Sequence, residues 1–478
     1  MNSQSKINRR GFLGAVAALG TASLAGCTSS RRAAGRPAGQ LPARGEFVVR
    51  NAYVLTMDPA LGDLPRGDIH VRTGEIVAVG SQLVAPSTEA IDGQNTIALP
   101  GLIDTHWHLW EGSVRGLVGD GEMDYFPVMD RLGPQFTPED SYRGVRLGLA
   151  EALYSGVTTV HNWSHNLLSP AHADAELRAL REAGVRGRFS YGYSRTLQHH
   201  PDQLTDFADV ARVQREWFAR PNDGLLTLGF ASRGPQAVPP EVYRREWEKA
   251  RSLGLPITQH ASRSREEVAR IRVIEVLWRD GLLGPDVQLV HTYQATPAEH
   301  KRMADTGTRV SVAPFTASRL ASGFPQLGEL FRAGVQVGLS IDTTTVGGNA
   351  DMFGVMRLAL NLHHLHSLDV LEVQPRRVLE LATIDGARNL GLADRVGSLT
   401  PGKRADLILV RTTDLNTAPL SNPVNLLVQS AQPANVDTVV VDGRILKRKG
   451  QLLALDPEQV VREAAESLAA VRARAGGP

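Results

Sequence analysis

The centre of the chain alternates short apolar runs with stretches that carry a helical pattern. Three of the helical stretches begin with a hydroxyl residue followed by proline. A side-chain oxygen at this position caps the free N–H groups, and proline fits the first helical turn. The pairs are Thr137-Pro138, Ser169-Pro170 and Thr296-Pro297. The apolar runs are, in chain order, ALPGLIDTH, GVTTVHN, GRFSYGY, LLTLGF, LPITQH, VQLVH, TRVSVAP and VQVGLSID.

These eight strand candidates predict an α/β fold, a closed (β/α)8 TIM barrel over residues 100–395. An open, doubly wound sheet is the competing architecture. It is disfavoured because no Gly-rich phosphate loop follows the first run. Residues 46–99 and 396–455 show a different pattern, β-branched alternation broken by Gly or Asp-Gly turns. We therefore expect a small β-sandwich domain formed by both flanks of the chain.

The C-terminal residues 456–478 are predicted to form an amphipathic helix and a tail. Val461, Ala464, Leu468 and Val471 fall on one stripe of this helix. The stripe predicts docking on the body of the protein or on a partner subunit, so a homo-oligomer is compatible with the sequence.

The N-terminal residues 1–27 resemble an export signal. Arg9 and Arg10 precede an apolar stretch that is shorter than the roughly 20 residues of a membrane span. The stretch ends in LAGC, which is similar to a bacterial lipobox and makes Cys27 the predicted lipidation site. We expect twin-arginine export, a flexible linker over residues 28–45, and a lipid anchor in the periplasm or on the outer face of the cell membrane. The alternative is a cytosolic tail in which the cysteine is incidental.

Composition narrows the choice of partners. The chain has 52 basic and 50 acidic residues, a net charge of +2, and no basic stripe, which argues against nucleic acid as a partner. Cys27 is the single cysteine, so an intramolecular disulfide and a cysteine-based metal site are both excluded. A small-molecule substrate is expected, with membrane contact only through the lipid anchor.

Candidate metal ligands lie at the ends of four predicted strands. His106 and His108 close the first run, and side chains at i and i+2 of a strand share one face. His260, His291 and Asp342 close the fifth, sixth and eighth runs. A single histidine at a strand end is more often a hydrogen-bonded core residue. Five such residues at the active-site end of one barrel instead favour a divalent-metal site.

These motifs resemble the amidohydrolase superfamily, in its branch of cytosine and guanine deaminases and triazine hydrolases. The resemblance covers about residues 46–455 and implies that His106, His108, His260 and Asp342 bind one divalent metal ion. Zinc is favoured for this ligand set, while Fe2+, Mn2+ and Co2+ also fit. The matching segments are LPGLIDTHWH, LVHTYQATPAEHKRMADTGTRVSVAPFTASRL, GVQVGLSIDTTT and LATIDGARNLGLADRVGSLTPGKRADLILV.

The resemblance also implies roles for the catalytic residues. His291 contacts the attacking water or the substrate, and we expect it to stabilise the developing oxyanion. Asp342 is expected to act first as general base and then as general acid. Binuclear members of the superfamily use a lysine of strand four to bridge two ions, and LLTLGFASRG has no lysine. A mononuclear site is therefore expected.

One position departs from the family pattern. Deaminases of this branch usually carry Glu three residues after the strand-five histidine, where it moves a proton to the ring nitrogen. Arg263 stands at that position, and Glu266 and Glu267 are expected to point elsewhere. The departure favours hydrolysis of an amide, carbamate or urea, whose carbonyl can be polarised directly. The alternatives are a deaminase or dechlorinase of an N-heterocycle, or a catalytically inactive binding lipoprotein.

Further residues are candidates for substrate contact. His161 and His165 follow strand two, and Trp110 lies in a segment after strand one that is predicted to cover the substrate. Ordinary loop packing is the alternative for each of these residues. Arg263 could bind a substrate carboxylate through its planar guanidinium, or it could face solvent.

Overall fold

The computed structural model describes residues 41–86, 88–119, 124–194, 196–219 and 224–477. The predicted signal, Cys27 and most of the predicted linker lie outside these ranges. No helix within the described ranges is both long enough and apolar enough to cross a membrane.

Strands and helices alternate through the centre of the described chain. The strands are β1 (Glu46–Leu55), β2 (Asp63–Arg72), β3 (Glu75–Gly80), β4 (Glu89–Asp92), β5 (Thr96–Pro100), β6 (Leu102–Ile103), β7 (Val157–Ser164), β8 (Arg186–Tyr191), β9 (Leu226–Ser232), β10 (Ile257–Ala261), β11 (Val287–His291), β12 (Arg309–Val312), β13 (Val337–Leu339), β14 (Leu407–Arg411), β15 (Val436–Val441), β16 (Arg444–Arg448) and β17 (Gln451–Leu452). The helices are α1 (Tyr125–Leu132), α2 (Pro138–Tyr154), α3 (Pro170–Ala183), α4 (Phe207–Val213), α5 (Pro240–Ser252), α6 (Arg265–Arg270), α7 (Val273–Arg279), α8 (Pro297–Thr306), α9 (Pro314–Arg319), α10 (Leu327–Ala333), α11 (Thr344–Gly347), α12 (Met352–Ser367), α13 (Pro375–Leu381), α14 (Ile384–Asn389), α15 (Pro423–Gln429) and α16 (Pro457–Arg474).

Strands β6 to β13 form the predicted barrel. They pair in parallel and in sequence order. Backbone bonds close the ring between its first and last strands: Thr105 N–H donates to Leu339 O at 3.0 Å, and Asp342 N–H donates to His106 O at 2.9 Å. Every residue of β7 is buried, as expected for a parallel strand covered on both faces. The TIM-barrel prediction is confirmed.

The two flanks of the chain form one nine-stranded sheet. Its order is β17-β16-β15-β14-β5-β1-β2-β3, with β4 beside β1. Strands β5 and β14 pair antiparallel and so join the N-terminal flank to the C-terminal one. Gly101 alone separates β5 from the barrel strand β6, and a Cβ there would lie 2.1 Å from Thr158 Oγ1. Only glycine allows so close an approach where the chain leaves the sheet for the barrel.

The C-terminal helix α16 docks on α2. Ser467 Oγ donates to Asp140 Oδ1 at 2.6 Å, and Arg146 pairs with Glu463 at 2.5 Å. The apolar stripe differs from the predicted one in its first turn. Val460 is buried and Val461 is exposed, so the buried face begins one residue earlier than the sequence pattern indicated.

Candidate metal centre and cavity

Four of the predicted ligands meet at the carboxyl end of the barrel. One atom from each of His106, His108, His260 and Asp342 lies within 4.8 Å of the corresponding atoms of the others. His106 Nε2 is 3.0 Å from Asp342 Oδ1 and 3.2 Å from His260 Nε2. His108 Nε2 is 3.4 Å from the same Asp342 oxygen. The strand order therefore brings together residues that are as far apart as 236 positions in the sequence.

The chemistry of these four side chains fits a divalent cation. His108 Nδ1 lies 3.0 Å from the carbonyl oxygen of Trp163, an acceptor that fixes the Nδ1–H tautomer and leaves Nε2 unprotonated. Burial lowers the pKa of His106 to about 3, and the pKa of His260 also lies well below its usual value because of burial. Both rings are therefore neutral at pH 7. A proton can bridge only one pair of these ligand atoms, whereas a cation can bind all four. The distances of 3.0–3.4 Å between the ligand atoms are also close to the roughly 3.3 Å that separates the ligand atoms of a tetrahedral zinc ion.

The backbone is strained at two residues of this site. Asp342 has φ 66° and His291 has φ 79°, both in the left-handed region that β-strand residues avoid. Backbone bonds on neighbouring residues hold these conformations, including the bond from Thr292 N–H to Ala261 O at 2.9 Å. Asp104 adds a further restraint, because its Oδ1 accepts from Ile341 N–H at 2.7 Å. Such strain is typical of positions that a functional geometry requires.

His291 stands beside the four residues, and a tyrosine defines its protonation. The Tyr293 hydroxyl donates to Ala313 O at 2.8 Å and accepts from Ala313 N–H at 3.1 Å. Its remaining lone pair faces His291 Nδ1 at 3.1 Å, so Nδ1 carries the ring proton and Nε2 is an acceptor. Burial lowers the pKa of His291 to about 3, which keeps the ring neutral. Because an oxyanion donor at Nε2 needs a second proton, this arrangement does not support the donor role expected from the sequence.

A cavity of about 740 Å³ opens above the four residues, and two of the four predicted substrate-contact residues line it. His165 and Arg263 are in its wall. Trp110 is fully buried and donates through Nε1 to His165 Nδ1 at 3.2 Å, so it supports the wall from behind. His161 is also fully buried, with its ring nitrogens 2.8 Å from Thr105 O and 2.7 Å from Ser190 Oγ. Trp110 and His161 are therefore not part of the cavity wall, and substrate contact through either residue stays a prediction.

Glu111 is a buried residue that sequence reasoning missed. It accepts from the Tyr125 hydroxyl at 2.7 Å and from Thr343 Oγ1 at 2.6 Å. The carboxylate thus links α1, which lines the cavity, to the residue that follows Asp342. Glu111 could have been identified from its position three residues after His108. The chain that follows the first barrel strand lies at the barrel mouth, where the active site is expected.

Arg263 lines the cavity. The sequence had left open whether this side chain faces the substrate or the solvent. Its Nε lies 2.8 Å from Glu267 Oε2. Glu267 is therefore directed at Arg263, while Glu266 lines the cavity. The expectation that both glutamates point elsewhere is wrong for Glu266, which lies in the first turn of α6 after the N-cap residue Ser264 and lines the cavity.

Relatives of this chain include proteins named as deaminases. A 5-methylthioadenosine/S-adenosylhomocysteine deaminase from Desulforudis audaxviator is 31% identical over 435 residues, which are 87% of this chain and 97% of the relative. A 5'-deoxyadenosine deaminase from Methanosarcina mazei is 28% identical over 438 residues, with 90% and 99% of the two chains covered.

Solved structures agree with the fold. A zinc-bound adenosine deaminase from Xanthomonas campestris superposes with a TM-score of 0.80 at 26% identity, covering 90% of this chain and all of the other. A zinc complex of atrazine chlorohydrolase from Arthrobacter aurescens gives a TM-score of 0.78 at 22% identity, covering 89% of this chain and all of the other; it shows the fold alone.

The family model covers most of the chain. Residues 97–446 match the model described as the amidohydrolase family, a span that includes the whole barrel and strands from both flanks. The ligand cluster and the zinc-bound neighbour agree with a divalent metal at the barrel mouth. The chain therefore belongs to the amidohydrolase family and is a metal-dependent hydrolase that acts on carbon–nitrogen bonds.

Proposed function

We propose that this enzyme hydrolyses the carbonyl C–N bond of a small amide, carbamate or urea. The proposal depends on Arg263, whose permanently charged guanidinium lies in the cavity wall. In the deaminases that the sequence resembles, this position usually carries a glutamate. Hydrolytic deamination of an aromatic ring requires a proton on the ring nitrogen, and a guanidinium does not release one at neutral pH. A carbonyl substrate does not require that proton.

His106, His108, His260 and Asp342 would hold one divalent ion, and zinc suits three neutral imidazoles and a carboxylate. When bound, such an ion polarises a carbonyl and lowers the pKa of water from about 15.7 toward about 7. Strand β9 contains no lysine, which supports a single ion.

Asp342 is suited to move the protons of the reaction. Its carboxylate belongs to the ligand cluster and also lines the cavity, so it faces both the water and the substrate. It would accept a proton as the water oxygen attacks the carbonyl carbon, and would then give that proton to the nitrogen as the C–N bond breaks. One product is an amine, and the other is a carboxylic acid from an amide, a carbamic acid from a urea, or a carbonic acid monoester from a carbamate.

His291 is suited to orient the attacking water. Its Nε2 is an acceptor because Tyr293 holds the ring proton on Nδ1. An acceptor at this place can receive one O–H of the water and direct the oxygen lone pair at the carbonyl carbon. This assignment replaces the oxyanion-donor role.

Deamination of an N-heterocycle is the second candidate, and the curated relatives favour it. They act on adenosine derivatives, and two of them are aligned over almost their whole length. The two candidates release different products, since deamination liberates ammonia and leaves a ring carbonyl.

The test is turnover by metal-loaded enzyme of matched panels of N-acyl, carbamate and cyclic-urea compounds against adenosine-type amines. We expect hydrolysis of the first panel only. Ammonia release from the amines, with no turnover of carbonyl compounds, would overturn the proposal. A metal-loaded, folded enzyme that turns over neither panel would favour the binding-protein alternative.

A further inference from the structure

Arg263 lies in the wall of the cavity that also contains the ligand cluster. It follows β10 by two residues and lines the same cavity as His260 and His291. Its positive charge contributes to lowering the pKa of both imidazoles, which places the guanidinium within electrostatic reach of the ligand cluster. A cation here acts directly on whatever occupies the cavity.

The guanidinium is held in one orientation by Glu267. The Nε–H donates to Oε2 at 2.8 Å, and the other carboxylate oxygen accepts the Arg263 backbone N–H at 3.3 Å. Glu267 itself is fixed, since its side chain is 3% exposed and its backbone N–H donates to the capping Ser264 Oγ. The ion pair therefore holds Arg263 in position.

The outer edge of the guanidinium remains available to a ligand. Within the described ranges, no acceptor is bonded to its two terminal amino groups, and the side chain is 35% exposed. Phe126 of α1 lies against the guanidinium, with its ring centroid 5.5 Å from Cζ. Nε–H is thus bonded to Glu267, the Phe126 ring lies nearby, and the planar fork of terminal N–H donors belongs to a side chain that lines the cavity. Such a fork matches the two oxygens of a carboxylate.

We propose that Arg263 binds a carboxylate of the substrate, so that the hydrolysed compound is an N-acyl or N-carbamoyl amino acid or a similar anionic amide. The inference rests on the proposed function and narrows it to anionic substrates. In the hydrolysis of an N-acyl amino acid, water adds to the acyl carbon, the C–N bond breaks, and the nitrogen takes a proton. The products are a carboxylic acid and a free amino acid.

Matched substrates and variants test this assignment. Each N-acyl amino acid is compared with its C-terminal carboxamide, which keeps the scissile bond and removes the charge. The enzymes are wild type, Arg263→Gln, and the double variant Arg263→Gln/Glu267→Gln, which avoids leaving the buried carboxylate without its partner. Arg279→Gln is the control, because Arg279 is an exposed arginine of α7 that pairs with Glu275.

We expect wild type to prefer the acids over the carboxamides. Both Arg263 variants should raise KM for the acids about 10- to 100-fold, the range expected for a charge-assisted hydrogen bond, and leave the carboxamides almost unchanged. Equal losses on both members of each pair, or no preference in wild type, would overturn the inference while leaving the proposed function intact.

A binding measurement distinguishes a failure of this inference from a failure of the proposed function. An N-alkyl amino acid has no scissile carbonyl, so its dissociation constant, measured by calorimetry, does not depend on turnover. Weaker binding to Arg263→Gln than to wild type or Arg279→Gln supports the carboxylate site even if no amide is hydrolysed. Equal dissociation constants for the three proteins would contradict it.

Discussion

The tyrosine behind His291 offers a direct test of how the ring proton is controlled. Tyr293→Phe removes one oxygen that makes three hydrogen bonds, to His291 Nδ1 at 3.1 Å, Ala313 O at 2.8 Å and Ala313 N–H at 3.1 Å. Tyr293 is 3% exposed, so water cannot readily replace this oxygen. The variant frees the ring to take the other tautomer, in which Nε2 carries the proton and no longer accepts.

A buried polar group left without a partner costs about 1–3 kcal/mol. If the loss of this hydrogen bond destabilises the His291 tautomer in which Nε2 is an acceptor by the same amount, kcat/KM should decrease about 5- to 150-fold, mostly through kcat. Stability should also fall, by about 1–3 kcal/mol for each group of Ala313 that loses its partner. The assay is steady-state kinetics on metal-loaded enzyme, together with urea denaturation.

Tyr191→Phe is the matched control. Tyr191 is a buried tyrosine of β8 that donates to Asp209 at 2.8 Å and lies outside the cavity wall. It should lose stability and keep kcat. A folded, metal-loaded Tyr293→Phe enzyme whose kcat stays within about twofold of wild type would refute the reasoning about the ring proton.

Three further predictions concern the proton carrier, pH and the N-terminus. Asp342→Asn should keep the fold and lose at least about a thousandfold in kcat, and near-normal turnover in a folded variant would exclude Asp342 as the proton carrier. Burial lowers the pKa of His172 below its usual value, so the unfolded chain binds a proton at this residue more readily than the folded chain does. The free energy of unfolding should therefore decrease as the pH falls below about 6.5. The free energy of unfolding of His172→Gln should therefore change less between pH 7 and pH 5 than that of wild type, and identical slopes would contradict this. If Cys27 is lipidated after export, mass spectrometry of the mature protein should find an acylated cysteine as its first residue. The substitution Cys27→Ala should then release the protein from membranes. A soluble wild-type protein with an intact N-terminus would contradict both expectations.

The sequence predicted the barrel well because parallel strands covered on both faces are short, almost uniformly apolar runs. Its first strand shows the limit. The run ALPGLIDTH looks like one strand, but residues up to Pro100 pair in the nine-stranded sheet, and pairing in the barrel begins only at Leu102. Apolar alternation cannot show which sheet a strand joins, and Gly101 marks the division only once the close approach to Thr158 is known.

The candidate ligands could be predicted because each lies at or just after the end of a strand. His161 and His165 show why the surrounding residues could not. Strand β7 continues to Ser164, so His161 lies inside the barrel and His165 falls just past the strand end, at the cavity. A difference of a few residues in the end of one strand thus separates a core histidine from a cavity histidine. The partners of Arg263 and His291 depend on local turns that leave no periodic pattern.

The central claim is that one divalent ion is held by the four side chains at the barrel mouth, and elemental analysis of purified protein tests it most directly. Wild type should contain about one divalent ion per chain. His106→Ala and His108→Ala should lose the ion, while His200→Ala, at an exposed histidine, should retain it. A folded wild-type protein that binds no divalent ion after reconstitution, or ion content unchanged in both His106→Ala and His108→Ala, would contradict the account.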